Sequence, residues 1–220
     1  MLRRALPALL LVLLAGGSGC GDGSETLPER PAPGERPNIL WLTSEDNSAL
    51  FIGAYGSPIA RTPTLDSLAR NGVLYLNALS NAPVCAVARS TLLTGMAAPS
   101  TGMQHMRGRV DVPEALEDGF FPNRMRQAGY YAVNRVKTDY NVSGEHERFW
   151  DASSRRAHYR DRPEGSPFFA VFNFTGSHES NLFLDVLQEQ PLTDPDAVEV
   201  PPYHPDLPEI RRSWAHNYDR

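Results

Sequence analysis

The chain has 220 residues, 41% of them hydrophobic and 21% charged, and its 26 acidic and 21 basic side chains give a formal net charge of −5. This ordinary globular composition excludes a fibrous or wholly disordered protein. No run of basic residues is present, which argues against a nucleic-acid-binding protein, because phosphate recognition needs clustered cations. Two cysteines are too few for a disulfide framework. Among the basic residues only Lys137 is a lysine, and the other 20 are arginines.

The N-terminal segment has the pattern of a bacterial export signal. A positive start in residues 1–4 precedes an apolar run in residues 6–15, and small residues then lead to Cys20. The apolar run is too short to cross a bilayer, which needs about 20 residues. We therefore expect residues 1–19 to be the signal and residues 20–37 to be a flexible tether. The protein is then either a periplasmic protein or a lipoprotein anchored to the membrane through Cys20.

After the tether, short apolar runs alternate with helical patterns. The apolar runs predict strands at residues 38–43, 73–79, 130–134 and 168–174. The helical patterns predict helices that begin at Thr62-Pro63, at Cys85 and at Phe121. This alternation is typical of an α/β sheet covered on both faces, with ligand-binding groups where the strands end. The proline-rich and acidic region 191–208 is predicted to lie on the surface.

Reactive side chains follow the predicted strands or begin a helix. Glu45 and Asp46 come directly after the first strand, and two adjacent carboxylates suit Ca²⁺, which prefers several oxygen ligands. The same pair also occurs in ordinary solvated turns. Cys85 and Arg89 stand one helical turn apart, so their side chains share one face at a helix N-terminus, where amide groups favour an anion. A cation beside a reactive cysteine therefore makes this helix a candidate anion site.

Two more candidates follow later strands: Lys137 comes a few residues after the strand at 130–134, and His178 comes shortly after the strand at 168–174. Either residue alone would more often be a surface residue. Together, however, these residues form a more specific pattern. The Glu45-Asp46 pair is followed in order by the segments PVCAVARSTLLTG, AGYYAVNRVK and FNFTGSHES. This series of motifs resembles that of the sulfatases of the alkaline phosphatase superfamily. The resemblance runs from about Pro37 to the end of the chain.

The resemblance implies a sulfuric ester hydrolase that acts on a sulfated carbohydrate. It implies an alkaline-phosphatase-like α/β fold, a mixed and largely parallel sheet flanked by helices on both faces, of which residues 38–220 form the N-terminal part. It also implies that a formylglycine-generating enzyme oxidises Cys85 to formylglycine, whose hydrate attacks sulfur. The implied roles are Cys85 as nucleophile and metal ligand, Arg89 as the group that holds the hydrate, Lys137 and His178 as sulfate-binding groups, and Glu45 and Asp46 as Ca²⁺ ligands.

The sequence departs from the family pattern at several positions. Val87 stands where the signature has proline, and Asp139 stands where many members have a histidine that deprotonates the hydrate. His105 either lines the substrate pocket or is structural. The family's second acidic metal pair would follow Arg220, so we expect a partial domain. Two alternatives stay open: a phosphodiesterase or phosphonate hydrolase of the same superfamily, which more often uses Thr or Ser in place of Cys85, and a truncated, inactive relative that only binds anions.

Overall fold

The computed structural model describes residues 36–144, 146–182 and 190–220. All of these residues belong to one unit, Pro31–Arg220. The predicted export signal, Cys20 and most of the predicted tether lie outside the described residues. None of the helices in the described ranges is both long and apolar enough to cross a membrane.

In the described part of the chain, four strands form one parallel sheet. They are β1 at Ile39–Ser44, β2 at Tyr131–Arg135, β3 at Ala152–Ser153 and β4 at Phe168–Phe174, and they lie in the order β1-β4-β2-β3. Every strand pairing in the described residues is parallel. Three of the predicted strands are therefore confirmed. Because β1, β4 and β2 run in the same direction and in register, the loops that follow them meet at one edge of the sheet.

Six α-helices within the described residues accompany the sheet. They are α1 at Pro63–Asn71, α2 at Cys85–Thr94, α3 at Ala98–Thr101, α4 at Glu114–Glu117, α5 at Phe121–Gln127 and α6 at Pro208–Tyr218. The predicted helices at Pro63, Cys85 and Phe121 are confirmed. Helix α2 ends where Gly95 takes a left-handed conformation with φ +69, a backbone geometry that glycine adopts without a steric penalty.

The core lies against β4, the central strand. Helices α2 and α5 pack near one face, and the 3₁₀ turn Tyr159–Asp161 contacts β2 and β4. The Phe169 ring lies 5.1 Å from the Phe121 ring and 5.8 Å from the Trp150 ring, centroid to centroid. The sheet is thus a parallel α/β sheet flanked by helices, as the sequence predicts.

Two expectations about strands are wrong. Residues 73–79 do not form a strand, and their large side chains Val73, Tyr75, Leu76 and Leu79 are between 70% and 94% exposed. A strand needs a partner for its backbone N–H and C=O groups, and the sheet in the described residues places none beside this segment. Strand β1 was expected to be buried, but Leu40 and Leu42 are 51% and 57% exposed, so only its other face is covered.

The region 191–208 has no α-helix or strand before α6, in agreement with the predicted surface excursion. It is nevertheless tied to α6. The Asp219 carboxylate accepts hydrogen bonds from the backbone N–H groups of Leu192 and Thr193, and Arg211 donates to the carbonyl of Val198. The Val198 side chain is buried, so one apolar residue of the excursion does contribute to packing.

Candidate active site

The loops that follow β1 and β4 are joined by hydrogen bonds through Glu45. Its backbone N–H donates to the carbonyl of Phe174 at 3.2 Å, and the Ser177 hydroxyl donates to the carbonyl of Glu45 at 2.6 Å. Because both backbone groups of Glu45 are held, its side chain leaves the end of β1 in a fixed direction. The Glu45 side chain is only 5% exposed.

The buried Glu45 carboxylate brings together two predicted site residues from distant parts of the chain. The Lys137 ammonium lies 2.6 Å from Glu45 Oε2, and Arg89 Nη1 lies 3.8 Å from Glu45 Oε1. The Lys137 and Arg89 side chains are 13% and 9% exposed, so water screens these charges little. Two cations against one carboxylate leave a formal charge of about +1, which suits a bound anion.

The Arg89 guanidinium fastens α2 to the loop after β2. Its Nε donates to the carbonyl of Thr138 at 2.8 Å, its Nη2 donates to the carbonyl of Lys137, and its Nη1 donates to Asn173 Oδ1 at 3.0 Å. Arg89 also lies 5.4 Å from the centre of the Tyr140 ring. Burial raises the pKa of Tyr140 to about 12, although the charge of Arg89 partly offsets this rise.

Cys85 begins α2, and its thiol is free and partly buried. Val84, the residue before the helix, is extended and provides no side-chain cap, so the first N–H groups of α2 have no side-chain acceptor there. These groups and the helix dipole make this end of α2 favourable for negative charge.

Asp139, which stands where many sulfatases have a histidine, pairs with Arg107. The Arg107 Nε lies 3.4 Å from Asp139 Oδ1. The hydrogen bond and the charge of Asp139 raise the pKa of Arg107, and the charge of Cys85 adds a smaller contribution in the same direction. Arg107 is therefore a cation with an electrostatic interaction with Cys85, which the sequence analysis missed. His105 is exposed, and its backbone carbonyl, not its ring, accepts a hydrogen bond from Asn141.

His178 and Asp46 lie next to each other at the same edge of the sheet. Asp46 Oδ2 accepts a hydrogen bond from the backbone N–H of Glu179 at 2.8 Å and lies 3.9 Å from His178 Nε2. The other ring nitrogen, Nδ1, accepts from the backbone N–H of Ser180 at 3.2 Å. Because Nδ1 is an acceptor, a neutral ring carries its proton on Nε2, the nitrogen that faces Asp46.

The acidic residues do not make up a calcium site by themselves. Within residues 36–144, 146–182 and 190–220, no group of three or more His, Cys, Asp or Glu residues lies close enough together to hold a metal ion. The Glu45 carboxylate is engaged by Lys137 and Arg89, and one oxygen of Asp46 is engaged by a backbone N–H. Calcium usually takes six to eight oxygen ligands, so the described residues do not fit this ion, and no chemical step is assigned to it.

Two buried asparagines complete the polar interior of the site, and the sequence analysis missed both. Asn173, near the end of β4, donates from Nδ2 to Asn134 Oδ1 on β2 at 3.0 Å. Asn134 in turn donates to the carbonyl of Lys137 at 3.1 Å. Neither residue belongs to a short motif. The signal that could have found them is an amide side chain inside an apolar strand, because such a group must have a hydrogen-bonding partner when it is buried.

The fold and this cluster define a class of protein, an α/β domain with two buried cations against one carboxylate at the carboxyl ends of its parallel strands. The Sulfatase family profile matches residues 37–196, and the chain therefore belongs to the Sulfatase family. An ulvan-active sulfatase of Formosa agariphila is 43% identical over 159 residues, which are 68% of this chain and 26% of that protein. An N-acetylgalactosamine-6-sulfatase of Canis lupus familiaris is 33% identical over 131 residues, which are 56% of this chain and 23% of that protein.

Solved sulfatase structures share the fold. The structure of BT1596, a 2-O GAG sulfatase, matches 78% of this chain and 42% of its own with a TM-score of 0.56 and 21% identity. The structure of BT4656 in complex with its substrate D-glucosamine-2-N,6-O-disulfate matches 72% of this chain and 40% of its own with a TM-score of 0.55 and 15% identity. The chain spans about a quarter of the length of the two curated relatives named above.

Proposed function

We propose that these residues form part of a sulfuric ester hydrolase that acts on a sulfated carbohydrate. The observation that carries the proposal is the buried contact of Lys137 and Arg89 with Glu45, at 2.6 Å and 3.8 Å, at the edge where β1, β2 and β4 end. A sulfate ester is an anion, and a catalyst must neutralise its oxygens before a nucleophile can approach. A preorganised pair of cations meets that requirement.

Each residue of the cluster has a distinct role in the proposal. The Lys137 ammonium is a compact point charge that binds a sulfate oxygen. A planar guanidinium cannot replace this ammonium at a tight site. The protonated Nε2 of His178 donates a hydrogen bond to the same group or to the leaving oxygen. Arg89 is engaged by two backbone carbonyls and by Asn173, so it holds the loop that carries Lys137 as well as contributing charge.

Cys85 is the proposed site of formylglycine formation by a formylglycine-generating enzyme. Its position at the start of α2 suits this role, because the side chain leaves the helix where the dipole favours negative charge. When present, the formylglycine hydrate supplies an activated oxygen nucleophile. Asp139 pairs with Arg107, whose charge interacts with Cys85, and Asp139 is the proposed acceptor of the hydrate proton in place of the histidine found in many relatives.

The proposed substrate class rests on relatives with sulfated carbohydrate substrates. The 43% identical relative is an ulvan-active sulfatase, and a fold neighbour was solved with a disulfated glucosamine. A phosphate diester or phosphonate substrate has the same tetrahedral oxyanion, so both belong in the substrate panel. Turnover of phosphate diesters without turnover of sulfate esters would replace the proposal with the phosphodiesterase alternative.

Mass spectrometry of the peptide that contains Cys85 tests the proposal. We expect the protein, exported from a bacterium with a formylglycine-generating enzyme, to carry an aldehyde at residue 85, and we expect higher occupancy in Val87→Pro. Proline is tolerated at Val87 because this third residue of α2 lies in the first turn, where backbone N–H groups have no intrahelical acceptor. The Cys85→Ala variant is the negative control. No aldehyde in either the wild-type or the Val87→Pro protein would overturn the proposal.

The proposed Ca²⁺ ligands in this chain are Glu45 and Asp46. We expect calorimetric titration of the 220-residue chain to give no tight Ca²⁺ binding, because the described residues supply two carboxylates where six to eight oxygens are usual. The same chain should show no turnover of a chromogenic aryl sulfate. Tight binding together with turnover would show that the site is complete without further ligands.

The proposed location is the bacterial periplasm or the membrane surface, with a lipid on Cys20 as the anchor. The support is the sequence pattern alone, and the segment lies outside the described residues. Incorporation of labelled palmitate into the wild-type protein but not into Cys20→Ala would support the lipid anchor. A soluble, unlabelled periplasmic protein would reject the lipid anchor and support export without an anchor.

A further inference from the structure

We propose that Asn173 is a positioning residue that sets the direction of the Lys137 ammonium; the inference rests on the proposed function of Lys137 as a sulfate-binding group. Asn173 lies near the end of β4, is buried, and is absent from the candidate residues that the sequence indicates. It touches neither the Lys137 ammonium nor the Glu45 carboxylate in any described hydrogen bond, so its effect must pass through other side chains.

The Asn173 amide is fully used. Its Oδ1 accepts from Thr43 Oγ1 on β1 at 2.8 Å and from Arg89 Nη1 on α2 at 3.0 Å. Its Nδ2 donates to Asn134 Oδ1 and to the carbonyl of Arg135, both at 3.0 Å and both on β2. A buried amide with two accepted and two donated hydrogen bonds has one defined orientation.

Two of these partners converge on a single atom. The carbonyl oxygen of Lys137 accepts one hydrogen bond from Arg89 Nη2 and another from Asn134 Nδ2. Asn173 therefore contacts both side chains that hold the Lys137 backbone, through its oxygen on one side and its nitrogen on the other. The ammonium of the same residue then reaches Glu45 Oε2 at 2.6 Å.

The Asn173→Asp substitution separates the two accepted hydrogen bonds from the two donated ones. The new side chain keeps an acceptor for Thr43 and Arg89 but has no N–H to donate, so it faces Asn134 Oδ1 and a backbone carbonyl with oxygen against oxygen. Asn134 then either loses its partner or turns its amide, and in both cases the hold on the Lys137 carbonyl is weakened. The Asn173→Ala substitution removes both the accepted and the donated hydrogen bonds.

The chain offers a selective probe because Lys137 is its only lysine. Protein labelled with ¹⁵N-lysine gives one side-chain ammonium signal in NMR, and its hydrogen exchange reports how firmly the group is held. We expect exchange in Asn173→Asp and Asn173→Ala to be faster by about fivefold, the size expected when about one net hydrogen bond is lost. The matched control is Asn123→Ala, which removes a side-chain hydrogen bond to the carbonyl of Glu117 outside the site and should leave the signal unchanged.

The outcomes separate positioning from general destabilisation. Folded Asn173 variants whose Lys137 exchange equals that of the wild type would overturn the proposal. Equal acceleration in Asn123→Ala would also overturn it, because the effect would then follow stability alone. If neither Asn173 variant folds, Thr43→Val takes their place, since it removes one of the two donors to Asn173 Oδ1. Unchanged exchange in that variant would overturn the proposal.

The experiment also distinguishes this inference from the proposed function, because exchange is measured without a sulfate ester. Faster exchange in a protein that never acquires an aldehyde at Cys85 would support positioning and reject the enzyme. In an active protein, Asn173→Asp should lower kcat more than it raises KM, since a misdirected ammonium is missed most in the transition state. Normal kcat combined with faster exchange would reject the role of Lys137 in the reaction but keep the structural assignment.

Discussion

Strands β4 and β1 lie side by side in register, but their surroundings differ. In β4, Phe169, Ala170 and Val171 are all buried, and Asn173 connects its end to β1, β2 and α2. In β1, burial alternates, and the large side chains on one face remain exposed. The candidate site therefore takes Glu45 from the less covered strand and obtains its rigidity from the more covered one. The following predictions test this difference.

The largest expected effect on stability comes from Phe169 of β4, and Phe174 of the same strand provides the contrast. Phe169→Ala should lower the free energy of unfolding by about 3–5 kcal/mol, because it leaves a cavity among packed rings. Phe169 is 1% exposed, whereas Phe174, at the far end of the same strand, is 55% exposed. Phe174→Ala should therefore change stability by about 1 kcal/mol or less. Denaturant unfolding of both variants checks the contrast, and equal losses would show that the two ends of β4 are packed alike.

The site itself should depend on Lys137 and His178. In an active protein that contains these residues, Lys137→Ala and His178→Ala should each lower sulfate ester turnover by about 10²-fold or more, the usual effect of losing one preorganised contact to a developing charge. Lys137→Arg should also impair turnover, because a planar fork does not replace a point charge. Asn123→Ala is the control. Near-normal rates in all three site variants would mean that neither residue contacts the sulfate.

Tyr140 gives the buried region a measurable pH dependence. Burial raises the pKa of its phenol to about 12, whereas an unfolded tyrosine titrates near about 10. The folded state keeps this proton where the unfolded state loses it. The contribution of Tyr140 to stability is therefore complete below about pH 10 and falls by up to about 3 kcal/mol as the pH rises to about 12. Tyr140→Phe should lack this part of the decline in denaturant titrations, and parallel curves for both proteins would contradict the prediction.

The smallest effect on stability is expected on the exposed face of β1. Leu42→Thr should change the free energy of unfolding by only about 0.5 kcal/mol, yet it should reduce self-association in sedimentation experiments. Among the described residues β1 is an edge strand, and exposed leucines on an edge strand favour pairing between copies of a chain. Leu192→Thr, at an exposed position outside β1, is the control and should leave self-association unchanged. Equal sedimentation of the wild type and Leu42→Thr would show that this face of β1 does not mediate self-association.

Local signals predicted much of the fold. The apolar run at residues 168–174 matches β4, and helix α2 begins at the predicted Cys85. The run at residues 73–79 is similarly apolar but forms no strand, because pairing depends on a neighbour that no local pattern can supply. The two-residue strand β3 was missed for the related reason that it is too short to have a period.

The candidate site was predictable to the extent that its residues lie in motifs. Glu45, Arg89 and Lys137 were named from the sequence, and they contact one another in the structure. The groups that hold them, Asn173 and Asn134, were not. An asparagine within a strand has no characteristic spacing, and its importance depends on which distant carbonyls and amides it meets after folding.

The backbone at Asp46 has a consequence for sequence variation in this family. Its φ of +46 lies in the left-handed region, which side chains other than Gly, Asn and Asp enter only with strain. Asn at this position would keep both the backbone shape and the acceptor for the N–H of Glu179, while removing the charge. Natural variants at position 46 should therefore be drawn mainly from these three residues. Asn there would mark lineages that have kept the shape of this loop but lost its second carboxylate.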